Sequence, residues 1–211
     1  MEIIFSAFKL AISVLLIWLI IVAAQMGYAN LHFTNADNHL ADWIDKGTIS
    51  SDSSYNQALH SISLSNVMHT DNPQYLETLA AIQVKAAYGG YAEKSHLNLA
   101  LANYNKSLQL RPLWPWAWSS KAITKWRLGE IDDDMWHTLQ MLSKVGPYNV
   151  TANMTIVNVS LMLISTNSVY AERATLLAAE HYKRGMGNKH AVKLMEAIVK
   201  RHKAEDIVAD W

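Results

Sequence analysis

The longest unbroken pattern along the chain is apolar. Residues 10–29 carry no charge, and the run LAISVLLIWLIIVAA is almost wholly hydrophobic. About 20 such residues span a bilayer as a helix, so residues 1–29 are expected to form a transmembrane anchor. Beyond it the pattern turns amphipathic. In residues 30–72, Leu40, Trp43 and Ile44 share one helical face, and Leu59, Ile62 and Val67 share another. Between them a polar stretch, 47–54, reads as a linker, with Ser53 or Ser54 as a candidate cap for the helix that follows. These two pieces are expected to be connecting helices.

Residues 73–211 are expected to form one helical domain. A helix over 75–87 turns Leu76, Leu79, Ala80 and Val84 inward and breaks at Tyr88-Gly89-Gly90-Tyr91. The next begins near Ser95, with Leu97, Leu101, Tyr104 and Leu108 at spacings of three and four. Pro112 and Pro115 cannot sit inside a helix, but Pro115 suits a first turn. That helix runs through Trp116, Trp118, Ala122 and Trp126 to Gly129. Asp132, Asp133 and Asp134 open another, where acidic side chains favour the positive end of the helix dipole; it carries Met135, Trp136, Leu139 and Leu142 and stops at Gly146-Pro147. Residues 145–171 hold no charge. Val150, Met154, Val157, Leu161 and Ile164 recur at helical spacing, while the β-branched content suits a strand. A buried helix is preferred because the neighbours are helical, with a strand or a second membrane span left open. Asn149, Asn153, Asn158, Thr151 and Thr155 would be costly in hydrocarbon. Two amphipathic helices close the chain, over 169–184 and 190–205, the second with a basic face that reads as solvated. The fold class expected is all-α: an N-terminal transmembrane helix followed by an antiparallel helical array.

The stretch 95–147 resembles a tetratricopeptide repeat, a pair of antiparallel helices of roughly 34 residues. Trp118 matches the early tryptophan of its first helix and Gly129 the glycine between its helices. Upstream, Ala100, Tyr104 and Pro112 match the small residue, the aromatic and the closing proline of a preceding repeat. Pro73, Pro112 and Pro147 recur at about the repeat period. Three positions depart from the pattern: Lys121 stands where leucine is usual, Lys125 where an aromatic is usual, and Asp134 where alanine is usual. Arrays that resemble this one bind partners on a concave surface and serve as scaffolds.

Composition narrows the function classes. Lys+Arg and Asp+Glu both number 18, so net charge is +0, which argues against nucleic-acid binding driven by gross positive charge. The absence of cysteine removes disulfides, thiolate nucleophiles and cysteine-based zinc sites. No His pair has the spacing of a helical metal site, Gly185-Met186-Gly187-Asn188-Lys189 lacks the phosphate-loop pattern, and no nucleophile elbow occurs. No catalytic residue, metal or cofactor is therefore assigned. Among the tryptophans, Trp118 and Trp136 are expected to pack between helices. Trp114 and Trp116 flank Pro115 and cannot easily face the same core; an exposed aromatic beside a helical groove can stack on a sugar or anchor a peptide. Trp114 and Trp116, with Lys121 and Lys125, are the candidate partner-binding residues.

Lys9 and the N-terminal amine place the start of the chain in the cytoplasm. Asp37, Asp42 and Asp45 against Lys46 leave nothing basic to hold the other side inside. The body is expected outside the cytoplasm, in the periplasm of a Gram-negative source. A cleaved signal peptide, cut near Val22-Ala23-Ala24 or Gly27-Tyr28-Ala29, is the competing reading and exports the body equally.

Taken whole, and most clearly in LQLRPLWPWAWSSKAITKWRLGEIDD at residues 108–133, the chain resembles the VpsP family of bacterial exopolysaccharide-biosynthesis accessory proteins. The resemblance implies a non-enzymatic, single-pass inner-membrane scaffold. Its partners would be membrane proteins of a polysaccharide assembly or export machine, with the bilayer met through residues 10–29 and polysaccharide a further candidate ligand. Assembly of another envelope system, such as cytochrome maturation or secretion, is the alternative. A glycan-active enzyme using carboxylates such as Glu77 and Glu130 is a more distant one.

Overall fold

The computed structural model describes residues 2–211; the N-terminal amine of Met1, used above for orientation, lies outside them. Ten helices and no strand occur among the described residues. The all-α expectation holds.

Helix α1 runs from Glu2 to Lys46 without interruption, 45 residues in all. The expected division at 29/30 therefore falls inside a helix, because no proline or glycine stands between Ala29 and Gly47. What changes near Ala29 is the environment. Leu10, Ile17, Trp18 and Ile21 are exposed, whereas Ala29, Phe33, Ala36, Leu40 and Trp43 are buried at spacings of four and three. That stripe packs against Ile62 of α2 (Asp52–Met68) and Tyr75 and Ile82 of α3 (Pro73–Gly89). The upper part of α1 thus belongs to the array, and only the short turn after Gly47 links it to α2. Ile44 and Val67, grouped above with inward residues, are exposed. Helix α1 is also long and apolar enough to cross a membrane.

The other helices are α4 (His96–Leu110), α5 (Pro115–Leu128), α6 (Asp133–Val145), α7 (Val150–Ser165), α8 (Ala171–Met186), α9 (Val192–His202) and α10 (Glu205–Ala209). They pack as successive pairs, and each odd-numbered helix from α1 to α9 also touches the next odd-numbered one. This is the connectivity of a helical repeat: one row lines the inner side and the even helices back it. Local chemistry sets the boundaries. Side chains of Ser51, Asn72, Asp132 and Asn149 accept hydrogen bonds from backbone N–H groups at the starts of α2, α3, α6 and α7, satisfying donors that a helix start leaves free. The cap of α2 is Ser51 rather than Ser53 or Ser54. Gly129 ends α5 with φ 75, a left-handed value that favours glycine.

Helix α7 is the centre of the array. Buried residues lie on all its sides, from Ala152 to Leu163, which explains an apolar run without clear amphipathicity. Its β-branched residues are helical because burial against four neighbouring helices outweighs their intrinsic preference. Asn153 and Asn158 are satisfied within the protein: Asn153 Oδ1 is 2.5 Å from His181 Nδ1, and Asn158 Oδ1 is 2.8 Å from His202 Nε2. The last expected helix, 190–205, is α9; it ends where the backbone turns left-handed at Lys203, φ 52, and the short α10 begins at Glu205, where the expected range stops.

Candidate partner-binding groove

The inner row of helices encloses a groove. Two adjoining hollows of about 420 Å³ each share Leu40 of α1, Ala81 of α3, Tyr104 of α4 and Ser120 of α5. One hollow extends along Lys85, Tyr88, Arg127 and Thr155; the other reaches Glu77, Arg111, Trp114 and Trp116. Tyr104 sits at their junction. Burial pushes its phenol up to about 12, so it stays protonated and can donate or accept a hydrogen bond.

The two tryptophans flanking Pro115 come together. Their rings lie 5.3 Å apart at 27°, an offset stack. Trp114 is half-buried, and Trp116 remains 47% exposed. Glu77 holds the arrangement. Its Oε1 accepts from Ser107 Oγ at 2.6 Å and Arg111 Nη2 at 2.8 Å, while its Oε2 accepts from Trp114 Nε1 at 3.1 Å. The Arg111 guanidinium lies 4.1 Å from the centre of the Trp114 ring, a cation–π distance. One carboxylate thus ties α3 to the end of α4 and to the turn that carries the tryptophan pair.

Lys121 and Lys125 do not reach the groove. They are 6% and 3% exposed, and both are spent on ion pairs at the α5–α6 turn. Lys121 Nζ lies 2.8 Å from Asp134 Oδ1; Lys125 Nζ lies 2.9 Å from Glu130, 3.0 Å from Asp132 and 3.2 Å from Asp134. Burial would push the Lys125 ammonium down. Hydrogen bonds with Glu130, Asp132 and Asp134 outweigh it, and its pKa is raised. The partner-binding assignment of these lysines is therefore corrected: positions that carry apolar residues in the repeat point into the helix pair, and a lysine there is buried with them.

The residues that carry the repeat resemblance are placed as follows. Ala100 and Tyr104 are buried against Ala80 of α3. The Pro112 carbonyl accepts from Trp118 Nε1 at 2.8 Å, and Trp118 is buried in the largest core cluster. Pro147 follows Gly146 in the α6–α7 turn. Trp136 is half-buried and stacked on Tyr170, 6.0 Å apart at 10°. Asp132, Asp133 and Asp134 open α6 as expected. Glu77 and Glu130 are not brought together: the first sits by the start of α5, the second beyond its end. Among the described residues, no three His, Asp or Glu side chains converge as a metal ion would need.

Sequence reasoning missed the Glu77 hub and the His181 nest, where Nδ1 meets Asn153 and Nε2 lies 2.8 Å from Ser143 Oγ. Their partners are far apart in sequence and leave no local signature. No protein-family model matches the chain, and no curated protein matches it either.

Proposed function

We propose that the protein is a membrane-anchored helical scaffold that recruits an envelope partner through the groove of its inner helix row, and that it serves bacterial exopolysaccharide biosynthesis. The observation that carries the docking reading is the Trp114–Trp116 stack at one end of that groove, with Trp116 left half in solvent and the pair fixed by Glu77 and Arg111. A rigid, amphipathic aromatic platform supplies contact area at little entropic cost and is typical of binding hot spots. Arg111 Nε and Ser119 Oγ are buried on the groove walls without a partner in the chain, and a bound segment can satisfy them. The unbroken passage of α1 from its apolar half into the array supports an uncleaved anchor. The absence of Lys or Arg from 10–45, with Lys9 before it, supports a cytoplasmic start and a periplasmic body. The polysaccharide role rests on the resemblance of residues 108–133 to the VpsP family.

The test is site-specific photocrosslinking in intact cells, with the crosslinker at Ser120. Capture of an inner-membrane polysaccharide polymerase or export component is expected, and it is lost in Trp114→Ala with Trp116→Ala while helical content is unchanged. Capture that survives the double substitution rejects the groove as the docking site.

A further inference from the structure

Three turns of the array form one edge that begins beside the apolar run of α1. Helix α2 runs back along α1: Ser54 Oγ meets Trp43 Nε1, Ser61 Oγ donates to Asn35, Ser65 Oγ to the Ala29 carbonyl, and the Met68 carbonyl accepts from Gln25 Nε2. The α2–α3 turn is thereby held where the exposed apolar half of α1 ends. Lys106 Nζ donates to the Thr70 carbonyl at 3.0 Å, which brings the end of α4 to that turn. Gly146 packs on Pro115, which sets the α6–α7 turn against the start of α5.

This edge exposes large apolar and aromatic side chains: Val67, Leu113, Trp116 and Tyr148, of which Leu113 is 74% and Tyr148 83% exposed. Cations accompany them. Lys106 and Lys144 are exposed, and the Arg184 guanidinium, paired with Glu180, lies 5.6 Å from the Tyr148 ring centre. Asp71 is the only carboxylate within the three turns, and it faces Lys106 at 3.6 Å. The opposite edge carries charges of both signs. Ile131 and Val169 are exposed there, in an edge whose turns hold Asp45, Asp52, Glu93 and Asp133 together with Lys46 and Lys94, and where Glu130 and Asp132 are paired with Lys125.

We infer that the edge formed by the α2–α3, α4–α5 and α6–α7 turns rests on the surface of the bilayer that α1 enters, with Leu113 and Tyr148 immersed at its interface. The inference rests on the reading of α1 as a membrane anchor. Tryptophan and tyrosine favour the membrane–water interface, exposed apolar residues gain by leaving water, and Lys and Arg are drawn to anionic headgroups. With the edge so seated, the tryptophan end of the groove opens at the level of the headgroups.

The chain has no cysteine, so single-cysteine variants can be labelled cleanly. Leu19→Cys, Leu113→Cys, Tyr148→Cys and Val169→Cys, each in the full chain and carrying an environment-sensitive fluorophore, are reconstituted in phosphatidylglycerol-containing liposomes with brominated acyl chains. Labels at 113 and 148 are expected to be quenched at least twofold more than the label at 169, and the label at 19 most of all. If 19 is quenched while either 113 or 148 stays at the level of 169, the seated edge is overturned and the anchor stands. If 19 is not quenched, both are overturned.

Discussion

Lys121 Nζ lies 2.8 Å from Asp134 Oδ1, so two residues that break the repeat pattern, thirteen positions apart, satisfy each other across the α5–α6 pair. Lys125, the third departure, joins them through Asp134 Oδ2. Changing one member alone leaves a buried charge exposed to the low dielectric, whereas replacing the pair by apolar residues of similar volume is often neutral or stabilising. Asp134→Ala is expected to cost about 1–2 kcal/mol, because Lys121, its side chain only 7% exposed, loses its ion partner, while Asp134 itself is 45% exposed and screened by solvent. Adding Lys121→Leu, which restores the residues usual in the repeat, should recover most of that loss. Urea melts of the two variants check it; a double variant no more stable than Asp134→Ala counts against mutual compensation.

Glu77 is the hub of the groove's tryptophan end. Glu77→Ala strands the Arg111 guanidinium, the Trp114 indole N–H and the Ser107 hydroxyl together, and the expected loss is about 2–4 kcal/mol. Because Trp114 also loses its anchor, near-ultraviolet circular dichroism should change more than the far-ultraviolet signal. Equal losses in both would mean a global collapse rather than a loosened hub.

Acid should destabilise the fold through His181. Burial, followed by the nearby Arg184 guanidinium, lowers its pKa from 6.5 to about 4. The folded state therefore prefers neutral imidazole. Its contribution is present above the unfolded value near 6.5 and is lost as pH falls through the folded value. His202, lowered chiefly by burial, acts in the same direction. Stability should fall between pH 6.5 and 4 by up to about 3 kcal/mol for His181. His181→Gln should flatten that part of the profile, measured by denaturant midpoints at several pH values.

Two glycines end helices for different reasons, and alanine should separate them. At Gly146 an added Cβ would meet Ala152 Cβ at 2.9 Å and Pro115 Cβ at 3.0 Å, wedging α5 from α7 at a cost of about 1–3 kcal/mol. At Gly129 the space is open but φ is 75, so the cost is conformational and about 1 kcal/mol. Thermal melts of the two variants, with Gly129→Asn as a left-handed-tolerant control, test the assignment.

Most of the fold was legible in the sequence because short-range chemistry marks it. Pro115 at a first turn, the acidic start at 132–134, and the glycines at 89, 90 and 129 set boundaries that depend on a few neighbouring atoms. Helix α7 was ambiguous for a physical reason: a helix buried on every side has no polar face to announce its period. The end of α1 was misplaced because hydrophobicity alone cannot distinguish a helix that leaves a bilayer from one that merely continues into a protein core. The tryptophan pair was legible as unusual, but its stacking, and the carboxylate that fixes it, depend on Glu77, 37 residues from Trp114. Lys121 and Lys125 were misjudged because charge was read as exposure, and their partners' chemistry was not weighed.

Leu40 belongs to the same unbroken rod as Trp18. At 1.5 Å per residue, α1 is about 68 Å long and has no proline or break along its length. Leu40 also walls both hollows of the groove. With the apolar half of α1 held in lipid, as proposed, a lean or a twist of the shaft would be transmitted as lever motion to the groove's own side, making its width a mechanical readout of how the shaft is held.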